Sequence, residues 1–266
     1  MNSISIKVNA KINLSLDITG VRADGYHNLD MLMTSVDIFD IITAQKSDKS
    51  QVTMDGREVE ESNTAVKALN LLHEKFGVAM KVDIVKGIPF SAGMGGSSAD
   101  ASGVFFCASK LFDIALEEMM TLALKVGCDV PYMIYGGGAR VQGVGEVIIP
   151  VEIPPLKLVI AQKTVGSSTK EIYKRYDEVG GEYNDGKAYF NVLERGAVML
   201  NPQIALAREG LQRFTQDVFM TGSGSAYVGV FDDDEKAKLC VESLQGYVFC
   251  KAAHSKSHGI EILSQE

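Results

Sequence analysis

Residues 89–101, PFSAGMGGSSADA, constrain the fold more than any other stretch of this chain. Before them Val82, Ile84 and Ile88 alternate with polar residues, which is the period of a strand. After them a run of small and apolar residues continues through Phe105 to Leu111, as a helix would. Gly93, Gly95 and Gly96 strip side chains from the connection between the two. A strand, a glycine loop and a helix in that order aim free N–H groups and the positive end of a helix dipole at one point, which suits a phosphate chain. Ser97, Ser98 and Asp100 stand where they can cap the helix. Read by itself, the segment equally describes a plain glycine-rich turn at a helix start. It is not a Walker A loop, because Gly96 is followed by Ser97 where that motif needs a lysine.

The chain has 266 residues, 46% hydrophobic and 23% charged, enough for one large core or two modest ones. Its net charge of -8 argues against a nucleic-acid partner, which favours a basic surplus, but not against a compact anion held by local dipoles. Cys107, Cys128, Cys240 and Cys250 sit in apolar runs with no metal-binding spacing. No apolar run reaches the ~18 residues of a membrane span, and Lys7 and Lys11 interrupt the segment where a signal peptide would be apolar. The expectation is a cytoplasmic protein with no membrane partner. His254 and His258 have helical i, i+4 spacing but no acid or cysteine neighbours of metal-binding type, so no metal ligand is assigned.

Along the chain, Ile4 to Ile18 alternate with polar residues and read as extended, with Lys11, Asn13 and Ser15 sharing one face. Residues 19–30 form a loop at the Asp24-Gly25 turn signal, presenting Tyr26 and His27 side by side. That pair suits base stacking, and equally a packed tyrosine beside an exposed histidine. Residues 29–46 read as two strands and 52–54 as a short one. A helix capped by Asn63 runs to Phe76 and stops at Gly77, and a strand covers 78–86. Asp113 is placed to cap a helix ending at Gly127, and Pro131 sets Asp129 on a bend that can aim its carboxylate.

A strand pair spans 139–149, and the proline-rich residues 150–155 are the candidate domain seam. Beyond it come a strand at 156–161, a helix opening at Ser167, helices over 187–199 and 202–213, and a second glycine-serine loop, TGSGSA, at 221–226. Strands at 227–231 and 247–253 flank a helix that starts among the acids 232–235. The order describes an α/β first half with mixed strands and a smaller α+β second half, with a cleft between them.

Three separated motifs, KVNAKINLSLDITGVRADGYHNLD, the loop GMGGSSADA after Pro89, and TGSGSA leading into a strand, together resemble the GHMP kinase superfamily. AKINLSL, RADGYH and DVPYMIYGGGARVQGVGE are similar to its members that act on 4-diphosphocytidyl-2-C-methyl-D-erythritol in the non-mevalonate isoprenoid pathway. The resemblance spans essentially the whole chain. It implies an α+β, two-domain GHMP kinase fold, with an N-terminal α/β domain at 1–152 and a ferredoxin-like domain at 153–266. It also implies transfer of the γ-phosphate of ATP, accompanied by Mg²⁺, to the substrate's 2-hydroxyl. The alternatives are another small-molecule kinase of the superfamily and a catalytically silent nucleotide-binding regulator.

By that resemblance Pro89, Phe90, Ser91, Ala92, Gly93, Met94, Gly95, Gly96, Ser97, Ser98 and Ala99 would hold the ATP phosphates. Asp129 would accept the hydroxyl proton and Lys11 would polarise the hydroxyl. Tyr26 would stack on cytosine with Tyr173 as a second clamp, a contact of ~1–3 kcal/mol. His27 would read the base edge and Asn13 the methylerythritol end. The usual loop of such kinases reads closer to GLGGGSSNAA. Here Ser97 replaces a glycine and Asp100 an asparagine, adding a negative charge near the triphosphate unless the carboxylate turns away.

Overall fold

The computed structural model describes residues 1–181 and 186–266. The N-terminal alternation becomes β1 (Ser3–Val21), which reverses through a turn at Arg22–Tyr26 into β2 (His27–Lys46). β2 is one strand of 20 residues where two were expected. No glycine or proline interrupts it, and β1 pairs with it antiparallel from Ser3↔Gln45 to Val21↔His27, with register shifts that let the long ribbon bend. β3 (Gln51–Met54) and β4 (Arg57–Glu58) form a small hairpin, and α1 (Thr64–Phe76) follows. Asn63 caps α1 by accepting from the Ala65 N–H, and Gly77 ends it at φ 68°, both as read from sequence. β5 (Met80–Val85) pairs with β2 antiparallel and with β3 in parallel.

Three helices come next: α2 (Gly96–Phe112), α3 (Leu116–Val126) and α4 (Val130–Tyr135). The expected capping differs at both junctions. Gly95, not a serine, stands at the head of α2 with no side-chain cap, and Ser97, Ser98 and Asp100 lie inside the helix. Asp113 closes α2 in the left-handed region at φ 56°, a conformation aspartate tolerates, and Ala115 precedes α3. β6 (Ala139–Gly143) and β7 (Val147–Pro150) are the expected antiparallel pair, with β6 on β2.

After the proline-rich stretch come β8 (Lys157–Gln162) and α5 (Thr169–Val179), the latter opened by a reciprocal capping box of Ser168 and Glu171. The helix expected over 187–199 is shorter. Phe190–Asn191 is instead β9, paired in parallel with Ser15 and Leu16, and α6 (Glu194–Leu200) starts after it. Asn191 holds that departure by donating to the carbonyls of Met220 and Gly222. A 3₁₀ turn (Pro202–Ile204), α7 (Ala205–Gln212), β10 (Val218–Met220), β11 (Tyr227–Phe231) and α8 (Asp234–Ser243) complete this half.

β12 (Phe249–Lys256) pairs with β8 and then, at Ser255 and Lys256, with β2, so the sheets of the two halves join. His254 therefore lies in a strand, not on a helix with His258. A strand not anticipated, β13 (Ile260–Gln265), returns the chain to β1.

α2 is buried almost all round, which explains its small residues: it lies against β1, β2, α1 and α4. A Cβ at Gly103 would run into Ile42 Cδ1 and lie 3.0 Å from Val8 Cγ2. Gly103→Ala should destabilise by ~1–3 kcal/mol through overpacking, read as a lower urea midpoint. Adding Ile42→Val, which removes the opposing methyl, should make the double variant more stable than the sum of the singles; strict additivity would show that α2 has room to move.

Candidate functional site

From Asn9 to Leu14, β1 is buried on both faces. Ala10, Ile12 and Leu14 enter the core, so the strand period turns Asn9, Lys11 and Asn13 toward the other face. An ammonium placed there needs partners. Lys11 Nζ donates to Asn13 Oδ1 at 2.7 Å and lies 3.3 Å from Asp129 Oδ2, with side-chain exposures of 5% and 29% for the ion pair. Asp129 stands at the head of α4, where the break between α3 and α4 and Pro131 in the first turn turn the chain. Its carboxylate caps no backbone N–H there and reaches Lys11 instead. The two residues, 118 positions apart by their numbers, thus meet in space.

The same segment of β1 carries the two glycine loops. The Lys11 N–H donates to Met94 O at 3.1 Å, and the Asn13 N–H to Thr221 Oγ1 at 2.9 Å. The loops also bond to each other, Ser225 N–H to Ser91 O and Ala226 N–H to Ala92 O, each at 3.2 Å. Gly93 has φ 75°, and any Cβ on it would collide with Thr221 O. Gly95, also at φ 75°, lets the loop pass Lys11, whose Cγ lies 3.1 Å from where a Cβ would be. Thr64, at the start of α1, donates to Ser97 O at 2.6 Å. The first turn of α2, free of side-chain caps, faces a cleft of about 1040 Å³.

That cleft is lined by residues 88–98 together with Lys11, Asn13, Tyr26, His27, Asp129 and Tyr173. Every sequence-assigned residue except the buried Ala99 lines it. Tyr26 is 60% exposed. His27 packs on Tyr173 at 5.0 Å between ring centroids, tilted 39°, and its Nε2 lies 2.7 Å from Asp177 Oδ1. Burial pushes the Tyr173 phenol up from its ordinary value, so at neutral pH it keeps its proton. Asn13 accepts from Lys11 at Oδ1, donates from Nδ2 to Met31 Sδ at 3.2 Å and lines the cleft.

Sequence reasoning missed the group beneath the loop. Lys86 Nζ donates to Asp40 Oδ2 at 2.5 Å and to both Asp100 oxygens at 2.9 Å, and Asp40 Oδ1 accepts from the N–H groups of Gly87 and Ile88. All three side chains are buried. Asp100, the departure from the usual loop, is therefore paired with a lysine at the first turn of α2, where Lys86 Nζ also reaches Gly96 O at 3.4 Å. One ammonium between two buried carboxylates leaves a surplus of negative charge. Burial first, and Asp40 after it, push the Asp100 carboxyl up to about 7 against the pull of Lys86. Asp40 and Lys86 carry no local motif, and only folding brings them to Asp100.

The family model described as the GHMP kinases N terminal domain matches residues 63–137, from the cap of α1 to the glycines after α4. A glycine loop at the uncapped head of a buried helix, a second loop laced to it and a cleft between two joined halves make the chain a GHMP kinase. A relative from Thermoanaerobacter pseudethanolicus named 4-diphosphocytidyl-2-C-methyl-D-erythritol kinase is 34% identical over 98% of this chain and 99% of its own. One of the same name from Bacillus velezensis is 35% identical over 91% and 92%. A crystal structure of 4-(cytidine 5'-diphospho)-2C-methyl-D-erythritol kinase matches with a TM-score of 0.81 at 27% identity, covering 95% of this chain and 99% of that one. The chain belongs to the 4-diphosphocytidyl-2-C-methyl-D-erythritol kinase family.

The raised Asp100 carboxyl has a measurable sign. Between its ordinary value of 3.8 and about 7, the folded chain holds a proton here that the unfolded chain has released. This group's contribution to stability therefore falls as pH rises through that window, by at most about 1.4 kcal/mol per unit, and levels off above it. Asp100→Asn should flatten that slope in urea midpoints taken from pH 4.5 to 7.5. An unchanged slope would remove Asp100 as its source.

Proposed function

We propose that the chain transfers the γ-phosphate of ATP to the 2-hydroxyl of 4-diphosphocytidyl-2-C-methyl-D-erythritol, giving the 2-phosphate and ADP, a step of the non-mevalonate route to isoprenoid precursors. The observation that carries this reading is the Lys11–Asp129 pair, buried on one side and open on the other, in the cleft that the first turn of α2 faces.

A tertiary hydroxyl is a poor nucleophile at neutral pH. Asp129 accepts its proton as the new O–P bond forms and the bond from the γ-phosphorus to the bridging oxygen breaks, the electron pair leaving with ADP. Lys11, oriented by Asn13, supplies positive charge beside the reacting oxygens. The N–H groups at the start of α2 and the loop from Pro89 to Ala99 receive the phosphates. Mg²⁺ takes hard oxygen donors, and the Ser98 hydroxyl beside the loop at 89–99 is of that kind, so Mg²⁺ fits as a companion of the nucleotide. Ser98, which lines the cleft, would hold the ion with phosphate and water oxygens, and the ion would neutralise phosphate charge.

At the other group of lining residues, Tyr26 and Tyr173 take the cytosine between them and His27, held by Asp177, reads its edge. We assign residues 1–152 as the half bearing the phosphate loop and 153–266 as the half that completes the cleft. The cytoplasm is the compartment we assign, on four cysteines that are all free thiols. No helix among the described residues is long and apolar enough to cross a membrane.

Phosphate transfer from ATP measured on this substrate beside mevalonate and homoserine tests the reading; preference for either control would overturn the substrate, and no turnover with intact ATP binding would overturn the enzyme. Asp129→Asn should lower kcat by about 10²–10⁴-fold with ATP affinity nearly unchanged, because it removes a transition-state interaction. An equal loss of ATP binding would make Asp129 a nucleotide ligand instead. Tyr26 is exposed, so Tyr26→Ala should leave the fold intact and raise KM for the cytidine substrate roughly tenfold. An unchanged KM would remove Tyr26 from the cytosine site.

A further inference from the structure

Gln162 ends β8, in the half of the chain that carries neither Lys11, Asp129 nor the loop at 89–99, and it is completely buried. Its Nε2 faces three acceptors: Phe90 O at 3.0 Å, Ser91 O at 3.3 Å and Ser225 Oγ at 3.1 Å. Its Oε1 is a buried side-chain polar atom with no hydrogen-bond partner among the described residues. A buried polar atom left unpaired costs free energy, so the amide is retained for what its donor end does.

The donor end meets the entry to the glycine loop. Ser91 has φ 50°, a left-handed conformation that a residue with a Cβ adopts only when its surroundings hold it there. Ser91 O accepts from Gln162 Nε2 and from the Ser225 N–H, both from the second half of the chain. Ser225 Oγ is anchored in turn on Thr164 O at 2.6 Å, two residues beyond Gln162. The strained turn is thus held from outside its own loop.

We propose that Gln162 is a positioning residue for nucleotide binding, clamping the Phe90 and Ser91 carbonyls so that the following glycines and the first turn of α2 keep the shape that receives phosphate. The inference rests on the phosphate-loop reading above. Gln162 touches no reacting atom. It acts through the loop, and its influence falls on ATP rather than on the cytidine substrate. Because all its partners are acceptors, the site asks for neutral donors and not specifically for an amide: an uncharged imidazole, with one N–H donor, answers part of the same demand without burying a charge.

Equilibrium binding of ATP and of 4-diphosphocytidyl-methylerythritol, each alone, tests this without turnover. At pH 8, where an imidazole is neutral, it compares the wild-type chain with Gln162→Met, which keeps volume and loses the donors, and Gln162→His, which keeps one neutral N–H donor. Expected are ATP Kd values about tenfold weaker for Met and within about threefold of wild type for His, with the cytidine ligand within twofold throughout. Unchanged ATP affinity in Gln162→Met, equal weakening of both ligands, or a His variant as weak as Met would each overturn the proposal. If Gln162→Met does not fold, Ser225→Ala, which removes the hydroxyl that Gln162 meets beside Ser91 O, takes its place and should weaken ATP and not the cytidine ligand. Failure of the wild-type chain to bind ATP would instead overturn the phosphate-loop reading itself.

Discussion

Burial of one ammonium organises this molecule. Lys11 projects from a strand that is covered on both faces, where an unpaired charge would be prohibitively costly. Asn13 and Asp129 meet that demand, and in doing so they tie the N-terminal strand to the corner between α3 and α4. The backbone of the same segment bonds to both glycine loops, at Met94 and Thr221. A stretch of β1 three residues long thereby touches Asp129, the loop at 89–99 and the loop from the other half. The Lys11–Asp129 pair and its surroundings are placed by one structural requirement.

A second buried ionic group stands under α2. Lys86 there meets two carboxylates, Asp40 and Asp100, whereas Lys11 meets one, Asp129, and the Asn13 amide oxygen. Asp100, where asparagine is usual, is held by that lysine and shares the excess charge with a proton. The loop is then supported from below by this cluster and from the side by the Ser91, Gln162 and Ser225 contacts, so its shape depends on both halves of the chain.

Much of the architecture was legible because its causes are local. Alternation from Ile4 to Ile18 describes a strand wherever the chain goes, and Asn63 with Gly77 bounds α1 by hydrogen bonds within a few residues. The errors fall where a distant partner overrides local preference. Asp113 is the local exception, its N–H bonding Ser109 O to close the preceding helix, while the expected helix at 187 yields to a short strand because Ser15 and Leu16 offer it a ladder. β13 escaped notice because its reason for being extended is the free edge of β1, some 250 residues earlier.

Residue types and spacings by themselves determined the glycine loop between a strand and a helix, the shared face of Lys11 and Asn13, and the bend at Asp129, since each follows from backbone geometry over a few residues. Only the tertiary structure decided that Lys11 meets Asp129, that Asp100 turns to Lys86, and that Gln162 holds the entry of the loop from the other half. These are contacts between buried polar groups. Their partners are chosen by which elements pack together, and no local pattern encodes that choice.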